Sequence, residues 1–307
     1  MSPVEAAVAA GLTEPPLLAV SGGRDSVAMM LACRAAGAAV AHVDHGVSPR
    51  SGEWAALVER AASEAGLPCE VVRVEGGRSE SSMRAARYAA LEEVAGRRGL
   101  GVVAVAHTAD DQAETVLHRA LRGTGVRGLA GMAARRPLGA ATLVRPLLGV
   151  TRAEVTAYLE ARGAAWADDP TNATGEFTRG WIRNELLPSV RGRVNPEADA
   201  ALRRLAESAA EHAALAEEAG RALLDRSRAG EGLDCRVLRE GGPLARREAL
   251  RLWWRERGWP ERGMSRERWL GAAAVIEADG PAGVDLPGVR LRRSGGVLSG
   301  DGREPPV

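Results

Sequence analysis

Strand-like apolar runs recur at Leu17 to Val20, Ala39 to Val43, Glu70 to Val74 and Val102 to Ala106. Each is followed by a longer segment in which apolar residues return at helical spacing. The alternation predicts βα units. The intervening segments are long enough for right-handed crossovers, and hence for parallel strands with helices on both faces. A fifth strand is expected around Thr142 to Leu147, ahead of a helix running from Thr151 to near Gly163. Thr151 followed by Glu154 forms a capping box, which supports that helix start.

After Pro188 the pattern changes. From Pro196 to about Arg228 the chain reads as one long amphipathic helix rich in Ala and Glu, and a further helical segment covers Arg246 to Arg257. The run GVDLPGVRLRRSGGVLSGDG reads as a short hairpin turning at Gly295 and Gly296. The expected architecture is α/β. Residues 1–190 form a doubly wound, mostly parallel sheet, and residues 191–307 form a second, mainly helical domain with a short C-terminal hairpin. The Ala and Leu face of the long helix could pack within the second domain or make a homodimer, and both options stay open.

Composition narrows the function classes. The chain has 307 residues, 45% of them hydrophobic, enough for a sizeable core. No stretch of about 18 apolar residues lacks charge, and the start MSPVEAAVAAGL has no basic segment ahead of an apolar one. A cytoplasmic protein with no membrane partner is expected. Cys33, Cys69 and Cys235 lie far apart with no CxxC pair, which argues against a disulfide framework, a zinc knuckle or a sulfur carrier. Lysine is absent, so all 41 basic residues counted as Lys or Arg are Arg. A Walker A loop, a Schiff-base enzyme and a covalent nucleotidyl-lysine ligase are thereby excluded, since each needs that amine.

The net charge of +1 conceals a local asymmetry. From Arg119 to Arg152 the sequence carries Arg119, Arg122, Arg127, Arg135, Arg136, Arg145 and Arg152 and no acid. On charge alone this segment could face phosphates or be a solvated loop.

Candidate chemistry begins where the first strand ends. In LLAVSGGRDSVAMML, residues 17–31, the strand meets Ser21, Gly22, Gly23, Arg24, Asp25 and Ser26 before a helix starts. Ligands of open α/β sheets bind at the carboxyl ends of strands. Two glycines let the backbone approach a ligand, and the helix start offers unpaired N–H groups and a positive dipole end. The segment therefore reads as a phosphate cradle, with hydroxyls from Ser21 and Ser26, a cation from Arg24 and, in Asp25, an acid suited to holding Mg²⁺. An ordinary capped Gly-Gly turn is the alternative. Further along, TADDQAET sets Asp110 and Glu114, and Asp111 and Glu114, on one helix face at the same end of the sheet. Helix-start acids that merely complement the dipole would look the same. Arg84 and Arg87 lie near one another on the helix before the fourth strand, and His107 ends that strand.

SGG-x-DS after the first strand resembles the PP-loop of the N-type ATP pyrophosphatases, a Rossmann-like family that adenylates a carbonyl oxygen with loss of pyrophosphate. Three longer blocks, AHTADDQAETVLHRALRGTGVRGLAGM at 106–132, RPLLGVTRAEVTAYLEARGAAWADDPTN at 145–172 and FTRGWIRNELLP at 177–188, are similar to the tRNA(Ile)-lysidine synthases. The resemblance runs through about the first 190 residues in the same order.

That resemblance implies a reaction. The C2 carbonyl oxygen of the wobble cytidine, in the CAU anticodon of tRNA(Ile), attacks the α-phosphate of ATP. The ε-amine of L-lysine then displaces AMP at C2. It also implies roles: Ser21 to Ser26 with His42, Asp44 and His107 on ATP; Asp25 on Mg²⁺; and Asp111 and Glu114 on the lysine ammonium groups. Arg87 would pair with the lysine carboxylate or the adenylate phosphate. Arg179 and Arg183 would lie near the reacting centre, and they join Arg122, Arg127, Arg135 and Arg136 on the tRNA. Asp25, Arg87, Asp111, Glu114 and Arg179 form the expected catalytic set. His42 and His45 alone read as surface histidines, with no third ligand for a metal.

The sequence departs from the family pattern at Gly180, where Asn commonly follows the first Arg, and in length, since many relatives carry a further C-terminal domain. Two rivals share the loop: a tRNA thiolase, which would want clustered cysteines, and a non-catalytic ATP-sensing module, which would need neither the acids nor the arginine-rich segment. A dinucleotide oxidoreductase fails for want of G-x-G-x-x-G after Val20.

Overall fold

The computed structural model describes residues 1–33, 35–46, 50–74, 79–167 and 178–302. Asp168 and Asp169, which precede Pro170 in the sequence and suit an Asx-type turn, lie outside the described residues. The chain divides into two compact units, residues 1–207 and 208–307.

In the first unit, strands β1 (Pro16–Ala19), β2 (Ala39–Asp44), β3 (Cys69–Arg73), β4 (Val102–Val105), β5 (Arg135–Leu138) and β6 (Ala141–Val144) form one sheet in the order β3-β2-β1-β4-β6-β5. All neighbours are parallel except β5 and β6. The five expected strands are present, and β5 is an addition. Its RRPL sequence has little strand character of its own. It is held as an edge strand by pairing with β6, where a proline is tolerated.

The helices follow from local sequence. They are α1 (Pro3–Gly11), α2 (Arg24–Ala32), α3 (Ser51–Glu64), α4 (Glu80–Arg98), α5 (Ala109–Leu121), α6 (Val126–Leu129) and α7 (Arg152–Glu160). Ser2, Thr108 and Thr151 each close a capping box, so three of these starts are written in side chains. Next come α8 (Thr178–Trp181), a π-helical turn (Ile182–Leu186), α9 (Leu187–Arg193) and the long α10 (Ala198–Ser227).

Strand alternation sorts the core into two layers. Leu18 and Val40 join Val4, Val27, Met30 and Leu159 in one cluster, while Leu17 and Ala39 join Leu91, Val94 and Leu143 in the other. Leu17 and Leu18 are both fully buried, and truncating either to Ala would cost about 3 kcal/mol through lost contacts and a residual void.

The strand order places the switch point between β1 and β4, whose outgoing chains leave toward opposite sides. Their carboxyl ends therefore splay apart and open a crevice.

The second unit is less purely helical than its sequence suggests. Besides α11 (Cys235–Glu240), α12 (Pro243–Glu256) and α13 (Arg266–Glu277), it has β7 (Arg228–Ala229), β8 (Gly232–Asp234), β9 (Ala282–Leu286), β10 (Val289–Ser294) and β11 (Val297–Gly302). The expected hairpin is β10 and β11, with Gly295 and Gly296 at φ 57° and 85° as its two-residue turn. It is the centre of a five-stranded sheet in the order β7-β8-β11-β10-β9. The core of this unit gathers Trp253, Trp254 and Trp269 with Leu250, Ile276, Leu291 and Leu298. Trp259 meets the rings of Trp253 and Trp254 edge-on. Among the described residues no helix is long and apolar enough to cross a membrane.

Candidate active site

At the switch point of the sheet a cleft of about 420 Å³ opens. Its floor is the loop after β1. Gly22, at φ +88°, turns the chain through the left-handed region, and Gly23 precedes the first turn of α2. The turn is tied internally: Ser21 N–H donates to Ser26 Oγ at 3.1 Å, and Ser26 Oγ–H donates to the Gly23 carbonyl at 2.8 Å. Among the described residues no side chain caps α2, so its leading N–H groups can meet an anion. Ser21, Gly23, Arg24, Asp25 and Ser26 all line the cleft.

Asp25 accepts from Arg24 Nε at 3.1 Å. Burial raises its carboxyl above the ordinary value, against the pull of Arg24. Among the described residues no three His, Cys, Asp or Glu side chains gather into a metal cage. The donors instead suit a Mg²⁺ shared between one carboxylate and substrate phosphates, the usual way that ion is held.

The opposite wall comes from β4 and its neighbours. His45, Arg87 and His107 line the cleft, and both histidines have a buried Nδ1 with no hydrogen-bond partner among the described residues. Burial, with Arg145 and Arg87 nearby, pushes His107 down to about 3 even though Asp111 pulls the other way. Burial also lowers His45. Both rings are neutral at ordinary pH and can accept or donate one hydrogen bond each. Among the described residues no carboxylate pairs with Arg87, which packs its guanidinium against Tyr88. Burial lowers its pKa, so it is a cation that an anionic ligand would complete.

Behind this wall α5 presents its acids. Thr108 caps the helix, and its N–H donates to Asp111 Oδ2 at 2.8 Å. Asp110 accepts from the backbone N–H of Arg152 at 2.8 Å and so serves the start of α7. Asp111 and Glu114 form a different arrangement. Arg152 donates to Asp111 Oδ1 at 2.6 Å and to Glu114 Oε1 at 2.9 Å. Arg183 donates to Asp111 Oδ1 at 3.0 Å and to Glu114 at 2.7 and 2.9 Å. Burial acts to raise Asp111, but Arg152, the Thr108 N–H and Arg183 outweigh it and hold the carboxyl low. Arg152 and Arg183 themselves line the cleft.

The sequence-selected residues thus divide. Loop residues 21 and 23–26, Arg87, His107 and Arg183 converge on the cleft, with Asp111 and Glu114 one layer behind. Arg179 donates to Thr115 Oγ1 at 2.6 Å on the same helix. His42 and Asp44 are not brought to the cleft. His42 is buried, and its Nδ1–H donates to the Val20 carbonyl at 2.8 Å, while Asp44 accepts from Gly46 N–H at 2.7 Å in the turn after β2.

In the acid-free segment, Arg119 bonds the Gly128 and Gly131 carbonyls and Arg145 bonds that of Ala133. Both serve the fold. Arg122 and Arg135 are exposed, Arg127 is partly buried, and Arg136 lies over the Tyr88 ring. Sequence reasoning missed Arg152 and His45. A signal for Arg152 was present: a cation at the first position of a helix opposes the dipole, and here the acids of α5 offset that cost.

Comparison with known proteins agrees with this geometry. Residues 8–190 match the PP-loop domain family, and residues 233–299 match the TilS substrate binding domain. The chain is 41% identical over 302 residues to a tRNA(Ile)-lysidine synthase of Salinispora tropica, covering 93% of this chain and 90% of that one. It is 40% identical over 253 residues to the tRNA(Ile)-lysidine synthase of Chromobacterium violaceum, covering 78% of this chain but only 57% of that one. Among solved structures, a U34-tRNA thiolase of Methanococcus maripaludis is similar with a TM-score of 0.56 at 16% identity, over 68% of this chain and 78% of that one. At that identity the likeness speaks for the fold alone. Two domain families in this order, with 41% identity along nine-tenths of a relative, make this chain a member of the tRNA(Ile)-lysidine synthase family.

Proposed function

We propose that this protein ligates L-lysine to C2 of the wobble cytidine in the CAU anticodon of tRNA(Ile), converting ATP to AMP and pyrophosphate. The observation that carries this reading is the joining of two sites at one crevice. An uncapped helix start with a Gly-Gly turn can take phosphates, and a carboxylate pair stands one layer behind the arginines of the same cleft.

The chemistry assigns roles. The C2 oxygen of the cytidine attacks the α-phosphorus, and the bond to pyrophosphate breaks. The N–H groups of α2, with Ser21, Ser26 and Arg24, would stabilise the charge that builds on the phosphates. Mg²⁺, held through Asp25, would neutralise the leaving pyrophosphate. In the second step the lysine ε-amine bonds to C2 and AMP leaves with the oxygen. Asp111 and Glu114 would hold the lysine ammonium groups and Arg87 its carboxylate or the adenylate phosphate. His107, neutral, would orient nucleotide by a hydrogen bond. Arg122, Arg127, Arg135 and Arg136 would contact the tRNA backbone, with Arg179 and Arg183 nearer the reacting base.

The test is incubation with Mg²⁺-ATP, radiolabelled lysine and unmodified CAU-anticodon tRNA(Ile), omitting each component in turn while following label and pyrophosphate. Incorporation that depends on ATP and that tRNA supports the reading. Pyrophosphate release without lysine transfer would point to another nucleophile, and nucleotide binding without pyrophosphate release to an ATP-sensing module.

A further inference from the structure

The two carboxylates assigned to lysine are already satisfied in this structure. Asp111 and Glu114 carry two negative charges, and Arg152 and Arg183 supply two positive ones at 2.6–3.0 Å. The Glu114 side chain is 2% exposed and that of Asp111 15%, so Glu114 has no spare face toward solvent and Asp111 a small one. A substrate ammonium entering without a departure would put three cations around two carboxylates in a partly dehydrated site. Repulsion there is far stronger than in water.

The two arginines are not equally replaceable. Arg152 is 18% exposed, and its own backbone N–H is bonded to Asp110 where α7 begins. Arg183 is 35% exposed and sits on the π-helical turn, a rare backbone form that occurs mostly as single turns and frequently at functional sites. It also lines the cleft that holds the phosphate-binding loop.

We propose that Arg183 is a place-holder for the substrate ammonium: its guanidinium occupies the acid pair until ATP enters the cleft, then moves to the nucleotide phosphates and leaves the pair open to lysine. The proposal rests on the reading that Asp111 and Glu114 hold lysine. Its consequence is a positive coupling between the two small substrates, which by linkage must be reciprocal. Arg183 thereby sets when the acids can be used and contacts the nucleotide once it has left them.

The experiment is lysine binding to the full chain by calorimetry, with and without α,β-methylene ATP, in the wild type and in Arg183→Gln, Arg183→Lys and Asp111→Asn. In the wild type the analogue should tighten lysine binding about tenfold. Arg183→Gln should bind lysine tightly without the analogue and lose the coupling, whereas Arg183→Lys, still a cation, should keep it. Absence of coupling in the wild type, or weaker lysine binding in Arg183→Gln, overturns the place-holder. Undiminished lysine binding in Asp111→Asn overturns the assignment of the acids instead, so the two failures are distinguishable.

Discussion

Arg152 reaches from the first turn of α7 to Glu114 on α5, its Nη1 2.9 Å from Oε1, across 38 residues of sequence. This contact ties the helix after β6 to the helix after β4, and it does so beside the cleft. Burial by itself would lower the pKa of Arg152, yet Asp111 and Glu114 hold it above the ordinary value. The contact holds both acids in place, and Arg152, the Thr108 N–H and Arg183 together keep the Asp111 carboxyl below its ordinary value.

Arg152→Ala should destabilise the first unit by about 2 kcal/mol, because it removes charge-assisted hydrogen bonds from a carboxylate that has almost no access to water. Arg183 remains on the same acids, which keeps the loss below that of an abandoned buried charge. Arg152→Lys should recover only part of it, since an ammonium cannot span both carboxylates as the planar fork does. Urea unfolding of the three proteins measures this, and equal stability of the wild type and Arg152→Ala would show that the pair contributes nothing net.

The two loop glycines separate strain from occupancy. Gly22 sits at φ +88°, so Gly22→Ala should cost about 1–2 kcal/mol of stability as well as impair ATP binding. Gly23 has φ −70°, and among the described residues a Cβ there would meet only Ser21 Oγ, at 3.5 Å. Gly23→Ala should therefore fold normally, yet bind ATP more weakly, because the methyl group enters the space in front of the helix start. Thermal melts alongside nucleotide titrations distinguish the cases. Normal ATP affinity in Gly23→Ala would move the phosphates away from this loop.

Much of this was legible in the chain. The parallel strands announce themselves because they are apolar on both faces, and the starts of α5 and α7 because capping boxes are local. The loop 21–26 was readable for the same reason: its glycines and hydroxyls act on their own neighbours. What was not legible depended on pairing at a distance. β5 exists through β6, and β8 joins β11 through residues that lie far apart in sequence. His42 was misplaced because alternation along β2 decides which histidine reaches the crevice. His42 points into the layer beneath the loop and bonds Val20, leaving His45 on the cleft. The acids on α5 were recognisable, but their occupancy by Arg152 and Arg183 was not, since no local spacing links residues 41 and 72 positions apart.

The exposed arginines make a quantitative prediction for RNA. Each of Arg122→Ala and Arg135→Ala should weaken tRNA binding while leaving ATP affinity unchanged, as both side chains lie outside the cleft. If each neutralises one phosphate, the slope of log affinity against log salt should fall in magnitude by roughly 0.7–0.9 per variant. Arg136→Ala is a poorer probe, because its guanidinium packs on the Tyr88 ring at 4.8 Å and its loss would disturb that wall. Unaltered salt slopes would identify Arg122 and Arg135 as solvated.

Stability should fall on mild acidification through His107. The folded ring holds its pKa near 3, mainly because burial disfavours the cation, whereas the unfolded ring titrates near 6.5. Above about 6.5 both states are neutral and the group contributes nothing to the slope. Below that the unfolded chain binds a proton that the folded chain refuses, so stability is lost progressively as pH falls from about 6.5 toward 3, by at most about 1.4 kcal/mol per pH unit. His45, also lowered by burial, adds in the same direction. Asp25 opposes both, since its raised pKa lets the folded state take up a proton before the unfolded one does. Asp111, held low, adds its own loss only below its ordinary carboxylate value of 3.8. Between about 6 and 5 the histidines lower stability while Asp25 acts the other way, so the His107 share is read as the difference between two proteins that differ only there. In that window His107→Asn, which keeps a neutral polar side chain, should show a distinctly shallower slope in urea midpoints than the wild type. Parallel slopes in the two proteins would mean that His107 takes its proton at the ordinary pH, and that its place on the cleft wall is open to water.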